Sequence, residues 1–232
     1  MNLELLDNPI WQALSSYQKS FAIENSHAKI LHPDIGLFCA IQTPNTQSLQ
    51  ALQSLLLENH ATTALFSPQE LEFSAGLDCL RTLEISQMVC QNLQASNHLE
   101  IHELTSEDVP AMLELVQITK PGPFARRTIE LGQYWGIRVN QQLVAMTGER
   151  LHLPGFREVS SVCTHPDFQR QGLAQALITK VCQDIVARAE IPFLHVMSSN
   201  TGAAKVYEQL GFVQRTKLFG YVLRAKSAEV KL

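Results

Sequence analysis

Apolar and polar positions alternate along this chain in short blocks that read as strands and amphipathic helices. Pro9 follows Asp7 and Asn8, which predicts a capped helix carrying Trp11, Leu14, Tyr17 and Phe21. The apolar run at 35–41 predicts a buried strand. Asn45 or Thr46 then caps a helix with Leu49, Leu52, Leu55 and Leu56 on one side, and a strand at 61–66 ends at Ser67-Pro68. Residues 80–89 read as a strand with Leu83 and Ile85, and with them Gln87 and Val89, on one side. Residues 90–99, rich in Gln, Asn and Ser, read as a junction.

After the junction come a strand at 101–104 and a helix opened by Thr105 or Ser106. Glu107 and Asp108 stand in its first turn, where negative charge suits the helix dipole. A rigid turn at 120–123 and a short helix at 124–131 follow. Strands at 134–139 and 143–152 pair about Asn140-Gln141. A central strand at 158–164 leads into a helix with Leu173, Ala176, Leu177, Val181 and Ile185 on one face. A strand at 193–197, a short helix stopped by Gly211, and a closing hairpin of 213–215 with 218–223 complete the order.

This order predicts an α/β chain in two parts: a small α/β domain at 1–95 and a larger one at 96–232. Residues 35–66 repeat the later strand-helix-strand, with TPNTQSLQ where the second helix begins QRQGLA. Either the first part is a degenerate copy of the second, or it is an unrelated cap.

Composition removes several classes of function. With 45% apolar residues the chain of 232 has enough to build a core. The net charge is −4 and no basic run exceeds Arg126-Arg127, so a nucleic-acid partner has no electrostatic footprint. The five cysteines form no CxxC and fit reduced thiols in a cytoplasmic protein. Neither a signal peptide nor an apolar run of membrane-spanning length is seen. Without HExxH or a Cys/His cluster, no metal is expected.

The segment EVSSVCTHPDFQRQGLA, residues 158–174, carries the chemistry. A strand runs into a loop and then into the first turn of a helix, where main-chain N–H groups lack partners. Gly172, with no β-carbon, lets an anion approach them. Small Ala174 keeps the approach open, and Arg170 adds a cation. This is a cradle for a diphosphate, although neither GxxxxGK[ST] nor GxGxxG is present.

QRQGLA resembles the Q/R-x-x-G-x-G/A signature of the GNAT superfamily of acetyl-CoA-dependent N-acyltransferases. NTGAAKVYEQLGF, residues 200–212, resembles that family's late motif, and the likeness spans residues 101–224. The resemblance implies the GNAT acyltransferase fold, a mixed, mostly antiparallel sheet splayed at its central strands. It also implies acetyl-CoA as co-substrate and an amine as acceptor. The pantetheine arm would lie along the central strand, on backbone groups of Val162 and Thr164 with Cys163 between them. The diphosphate would sit on the N–H groups of Gln169, Arg170, Gln171, Gly172, Leu173 and Ala174, and Asn200 would bind or order the cofactor.

By the same resemblance Tyr207 would protonate the departing thiolate. The alternative is a tyrosine that packs its helix on the sheet. Glu158 stands where one branch of the family keeps a catalytic glutamate and would take the proton from the incoming ammonium. Glu149, a water or a merely solvated strand end compete with that role. His165 reads as a turn residue, and His152 and His195 as satisfied strand histidines. Cys163 could in principle carry an acyl group, but direct transfer is favoured because nothing nearby in the sequence lowers its pKa. Residues 119–136, with Phe124, Arg126, Arg127 and Glu130, would line the acceptor cleft. Exposed strand edges allow a homodimer. The competing functions are a non-catalytic acyl-CoA sensor and an interaction protein whose first part is the working module.

Overall fold

The computed structural model describes residues 2–73, 76–94 and 99–226. The expected boundary between 95 and 96 lies outside them. Helix α1, Pro9–Ser15, starts as expected: Asn8 Oδ1 accepts from the Trp11 amide and Pro9 fills a first-turn position. It stops at Ser15, so Tyr17 and Phe21 lie beyond it. Two short strands that the pattern did not announce follow, β1 (Ala22–Glu24) and β2 (Ala28–Leu31). Then come β3 (Phe38–Ile41), α2 (Thr46–Glu58), β4 (Thr62–Ser67) and β5 (Leu77–Cys90).

The second part begins with β6 (His102–Leu104). A capping box between Thr105 and Asp108 opens a turn that leads into α3 (Val109–Thr119). The expected helix at 124–131 is only a 3-10 turn, Thr128–Leu131. Strands β7 (Tyr134–Val139) and β8 (Gln142–Leu153) form a hairpin whose turn residues Asn140 and Gln141 both have positive φ, as a tight primed turn needs. Then follow β9 (Phe156–Thr164), α4 (Leu173–Ala187), β10 (Ile191–Met197), α5 (Thr201–Gln209) and β11 (Phe212–Ala225).

All the strands join one sheet in the order β1-β2-β3-β4-β11-β5-β10-β9-β8-β7-β6. The sheet is mostly antiparallel, and its parallel contacts are β3 with β4 and β9 with β10. The expected closing hairpin at 213–223 does not form. β11 is continuous because it has partners on both edges, β4 and β5, and a bulge at Arg215 absorbs the irregularity.

At the middle of the sheet the last strand of each expected part lies among the strands of the other. β5 inserts between β11 and β10, and β11 inserts between β4 and β5. Outward from the antiparallel β5–β11 pair, β4-β3-β2-β1 on one side mirrors β10-β9-β8-β7 on the other. Each side holds a parallel pair bridged by a helix, α2 or α4. α1 lies over the join: Leu6, Ile10 and Leu14 pack with Phe38 of the first part and Leu151, Phe156 and Phe193 of the second.

Candidate active site

β9 and β10 pair only from Ile191 with Phe156 to Phe193 with Glu158. Beyond that point β9 runs on to Thr164 and β10 to Met197 without mutual pairing. The sheet therefore opens like a V, with Glu158 at its vertex. On its far edge β10 is held by β5, with Met197 opposite Ile85.

A bulge shapes the β9 arm. Met146 faces Cys163 and Gly148 faces Ser160, so β9 carries an extra residue there, and Ser161 has φ +54°. Past the bulge the His165 amide donates to Val144 O at 2.8 Å. Backbone groups alternate in direction along a strand, so Val162 and Thr164 turn theirs away from β8 and into the opening.

The loop after β9 ends in the expected cradle, with one difference. The helix proper starts at Leu173, and Gly172 is its cap at φ +78°. Arg170 is also left-handed, at φ +61°. A β-carbon on Gly172 would meet nothing closer than 4.0 Å, so the space above the helix tip is open. The amides of Arg170, Gln171, Gly172, Leu173 and Ala174 have no protein acceptor among the described residues. Gln169, Arg170 and Gln171 are exposed at the mouth. His165 works in the turn, its Nδ1 accepting from the Asp167 amide.

Asn200 caps α5, its Oδ1 accepting from the Ala203 amide at 3.1 Å. Tyr207, on the same helix, is buried among Leu194, Val196, Met88 and Phe212. Its hydroxyl has no protein partner among the described residues, and burial pushes the phenol up to about 12. A phenol is protonated near neutral pH with or without this shift, so the hydroxyl has a proton to donate. Cys163 faces the other way, under α3 with Met112 and Leu115. Burial, only partly offset by the Thr119 hydroxyl, holds its thiol at about 11, so it makes a poor nucleophile.

Glu158 has no solvent face. Arg150 Nε donates to Oε2 at 2.7 Å, Arg150 Nη2 donates to Oε1, and His195 Nδ1 donates to Oε1 at 2.7 Å. Burial would raise this carboxyl, but the charge and hydrogen bonds of Arg150, helped by His195, hold it at about 2. A carboxylate that weakly basic, sealed from water, does not take a proton from an ammonium at neutral pH. The expected base role of Glu158 thus loses its physical ground. Glu149, its rival, is bound by Arg157 and Arg188.

The acceptor-side loop is stitched to the first part of the chain. Thr128 Oγ1 donates to Ile35 O at 2.6 Å, and the Arg127 amide donates to Asp34 O at 3.1 Å. Arg127 pairs with Glu130, Arg126 is exposed, and Phe124 packs edge-on against Tyr134. Sequence reasoning missed Arg150 and the partners of His195. An arginine in the apolar strand β8 and a glutamine within the apolar end of β5 were the available signals.

A sheet parted beside an open helix tip can seat a long, diphosphate-bearing cofactor, and comparison with known proteins gives the class, an acyl-CoA-dependent N-acyltransferase. The family model described as FR47-like protein matches residues 134–219. A structure from Novosphingobium aromaticivorans DSM 12444, described as an acetyltransferase of the GNAT family, is 33% identical with a TM-score of 0.89. The match covers 96% of this chain and 99% of that one. A GCN5-related N-acetyltransferase from Kribbella flavida shares the fold, with a TM-score of 0.65 at 12% identity over 98% of this chain and 96% of that one. By sequence, the [ribosomal protein bS18]-alanine N-acetyltransferase of Escherichia coli strain K12 is 28% identical, covering 50% of this chain and 82% of that protein. This chain belongs to the GNAT family.

Proposed function

We propose that the protein moves the acetyl group of acetyl-CoA to a primary amine by direct attack within a ternary complex. The observation that carries this is the set of unpartnered amides from Arg170 to Ala174 at the foot of the opening. They match a diphosphate, and the backbone of Val162 and Thr164 lies between them and the vertex.

The free amine attacks the thioester carbonyl carbon, and the C–S bond breaks. The Tyr207 hydroxyl gives its proton to the leaving thiolate, and the proton that the attacking nitrogen sheds as the amide forms returns through water to the tyrosine. The ammonium loses its proton to water before attack. An α-amine has a pKa near 8, so a useful fraction is free base without help from Glu158. The acceptor is an amino acid, a small amine or a peptide amino terminus. The relative named a ribosomal-protein alanine N-acetyltransferase makes the last a first choice to assay.

The test is a panel of amines and Ala-, Ser- and Gly-initiated peptides incubated with acetyl-CoA and read by mass spectrometry. A product heavier by one acetyl group supports the proposal. Tight acetyl-CoA binding with no product across the panel would replace it with a sensor that binds without turnover.

A further inference from the structure

Gln87 belongs to β5, contributed by the first part of the chain, yet it sits in the polar row at the vertex of the opening. It is fully buried and lies opposite His195 in the β5–β10 register. Its Nε2 donates to Leu6 O at 2.8 Å and to His195 Nε2 at 3.1 Å. Its Oε1 accepts from Arg215 Nη1 at 3.0 Å, and Arg215 is anchored in turn by Asp7. Turned over, the amide would aim N–H groups at a guanidinium and its oxygen at a carbonyl oxygen, so only one orientation is satisfied. That orientation decides the histidine. Nε2 receives a hydrogen bond, so the ring hydrogen sits on Nδ1 and points at Glu158 Oε1.

The result is a row of hydrogen bonds from β5 through β10 and β9 to β8: Gln87, His195, Glu158, Arg150. It crosses the sheet at the last β9–β10 pair, Phe193 with Glu158. Main-chain pairing between those strands ends where this row begins to hold them.

We infer that Gln87 is a positioning residue for acyl transfer. By fixing the His195 tautomer it completes a clasp that sets where β9 and β10 part, and so where a thioester held between them meets Tyr207. The inference rests on the opening being the acyl-CoA site. The first part of the chain then completes the active site of the second without touching substrate.

Nitrogen NMR of the histidine rings in the full-length protein, with kinetics of Gln87→Glu and Gln87→Met, tests this. The wild type should show hydrogen on Nδ1 of His195. Gln87→Glu offers an acceptor instead of a donor, so both ring nitrogens then face carboxylates and His195 should carry hydrogen on both. In both variants kcat should fall about tenfold, with acetyl-CoA KM changed no more than about twofold, the pattern of a displaced reacting geometry. Gln87→Met combined with His195→Gln should lose no more than His195→Gln alone. Hydrogen on Nε2 in the wild type, wild-type kcat in Gln87→Met, or additive losses would each overturn the inference. If Gln87→Met does not fold, the wild-type tautomer and the isosteric Gln87→Glu decide it. If the wild type acetylates no amine, the transferase reading fails separately, and the clasp stands or falls on the tautomer in the wild type and on the ring protonation in Gln87→Glu.

Discussion

The two sides of the sheet share a plan and differ at the places where a cofactor would bind. At the helix tip of the first part, Asn45 folds its side chain over α2 and takes the Ser48 amide. At the matching tip of the second, Gly172 has no side chain, and the amides above it stay open. Where the parallel strands meet, the first part is apolar: Phe38 pairs with Ala64 and Cys39 with Leu65. The second places the Arg150–Glu158–His195 cluster there. Ile41, at the end of β3, has its carbonyl taken by Asn8 Nδ2 at 2.8 Å, whereas Val162 and Thr164 on β9 face an opening. One fold thus accommodates a closed side and an open one, separated by a few side chains. The first side lends the second the strand β5.

The largest effect should come from a residue with no counterpart in the first part. α5 lies between β10 and β11, while no helix lies between β4 and β5 among the described residues. Tyr207→Phe should lower kcat about 100-fold or more, with acetyl-CoA affinity within about twofold, if the hydroxyl is the acid. Steady-state kinetics with a calorimetric Kd will show it, and equal loss in both would make the tyrosine a packing residue.

Gly172→Val challenges the open tip directly. The side chain has room, so the variant should fold, at a cost of about 1–2 kcal/mol for a left-handed branched residue. It covers the amides, and acetyl-CoA affinity should drop on the order of 100-fold, two charge-assisted hydrogen bonds of about 1.5 kcal/mol each. Retained affinity would move the diphosphate elsewhere.

The polar vertex should show in acid unfolding. Glu158 sits at about 2 in the fold against an ordinary 4.5, so the fold favours the ionised form. Its contribution is complete above pH 4.5 and is lost as pH falls toward 2, on the order of 3 kcal/mol in all. Urea midpoints measured across that window should fall steeply in the wild type and less steeply in Glu158→Gln. Parallel curves would remove Glu158 from the account.

The smallest effect belongs to the closed tip. Asn45→Ala should cost about 1 kcal/mol of stability through the lost cap and leave kcat and a stoichiometry of one acetyl-CoA unchanged. A second bound acetyl-CoA in this variant would show that Asn45 masks a second site.

Local signals announced many of the elements. The β7–β8 hairpin, the caps at Asn8, Asn45 and Thr105, and the glycine at the cradle all depend on neighbours in sequence. β1 and β2 escaped notice because the polar run Glu24-Asn25-Ser26-His27, and Lys29 beyond it, break up their apolar residues. The supposed hairpin failed because the polar stretch at 214–217 imitates a turn, while β4 and β5, far away in sequence, hold it extended. Glu158 was visible as a residue but not as a buried ion pair. Its partners come from β8 and β10, and the last lock on His195 comes from β5.

The traded strands also govern how the molecule is made. During synthesis Leu77–Cys90 leaves the ribosome long before Ile191–Met197 and Phe212–Ala225, the segments that cover its two edges. Until then a long β ribbon waits with unpaired amides and carbonyls, the sort of template that invites aggregation. Neither part can finish folding first, so the closing event joins contacts far apart in the chain and is slow. Nascent copies of this enzyme should therefore depend on chaperones late in translation, when the last strand arrives.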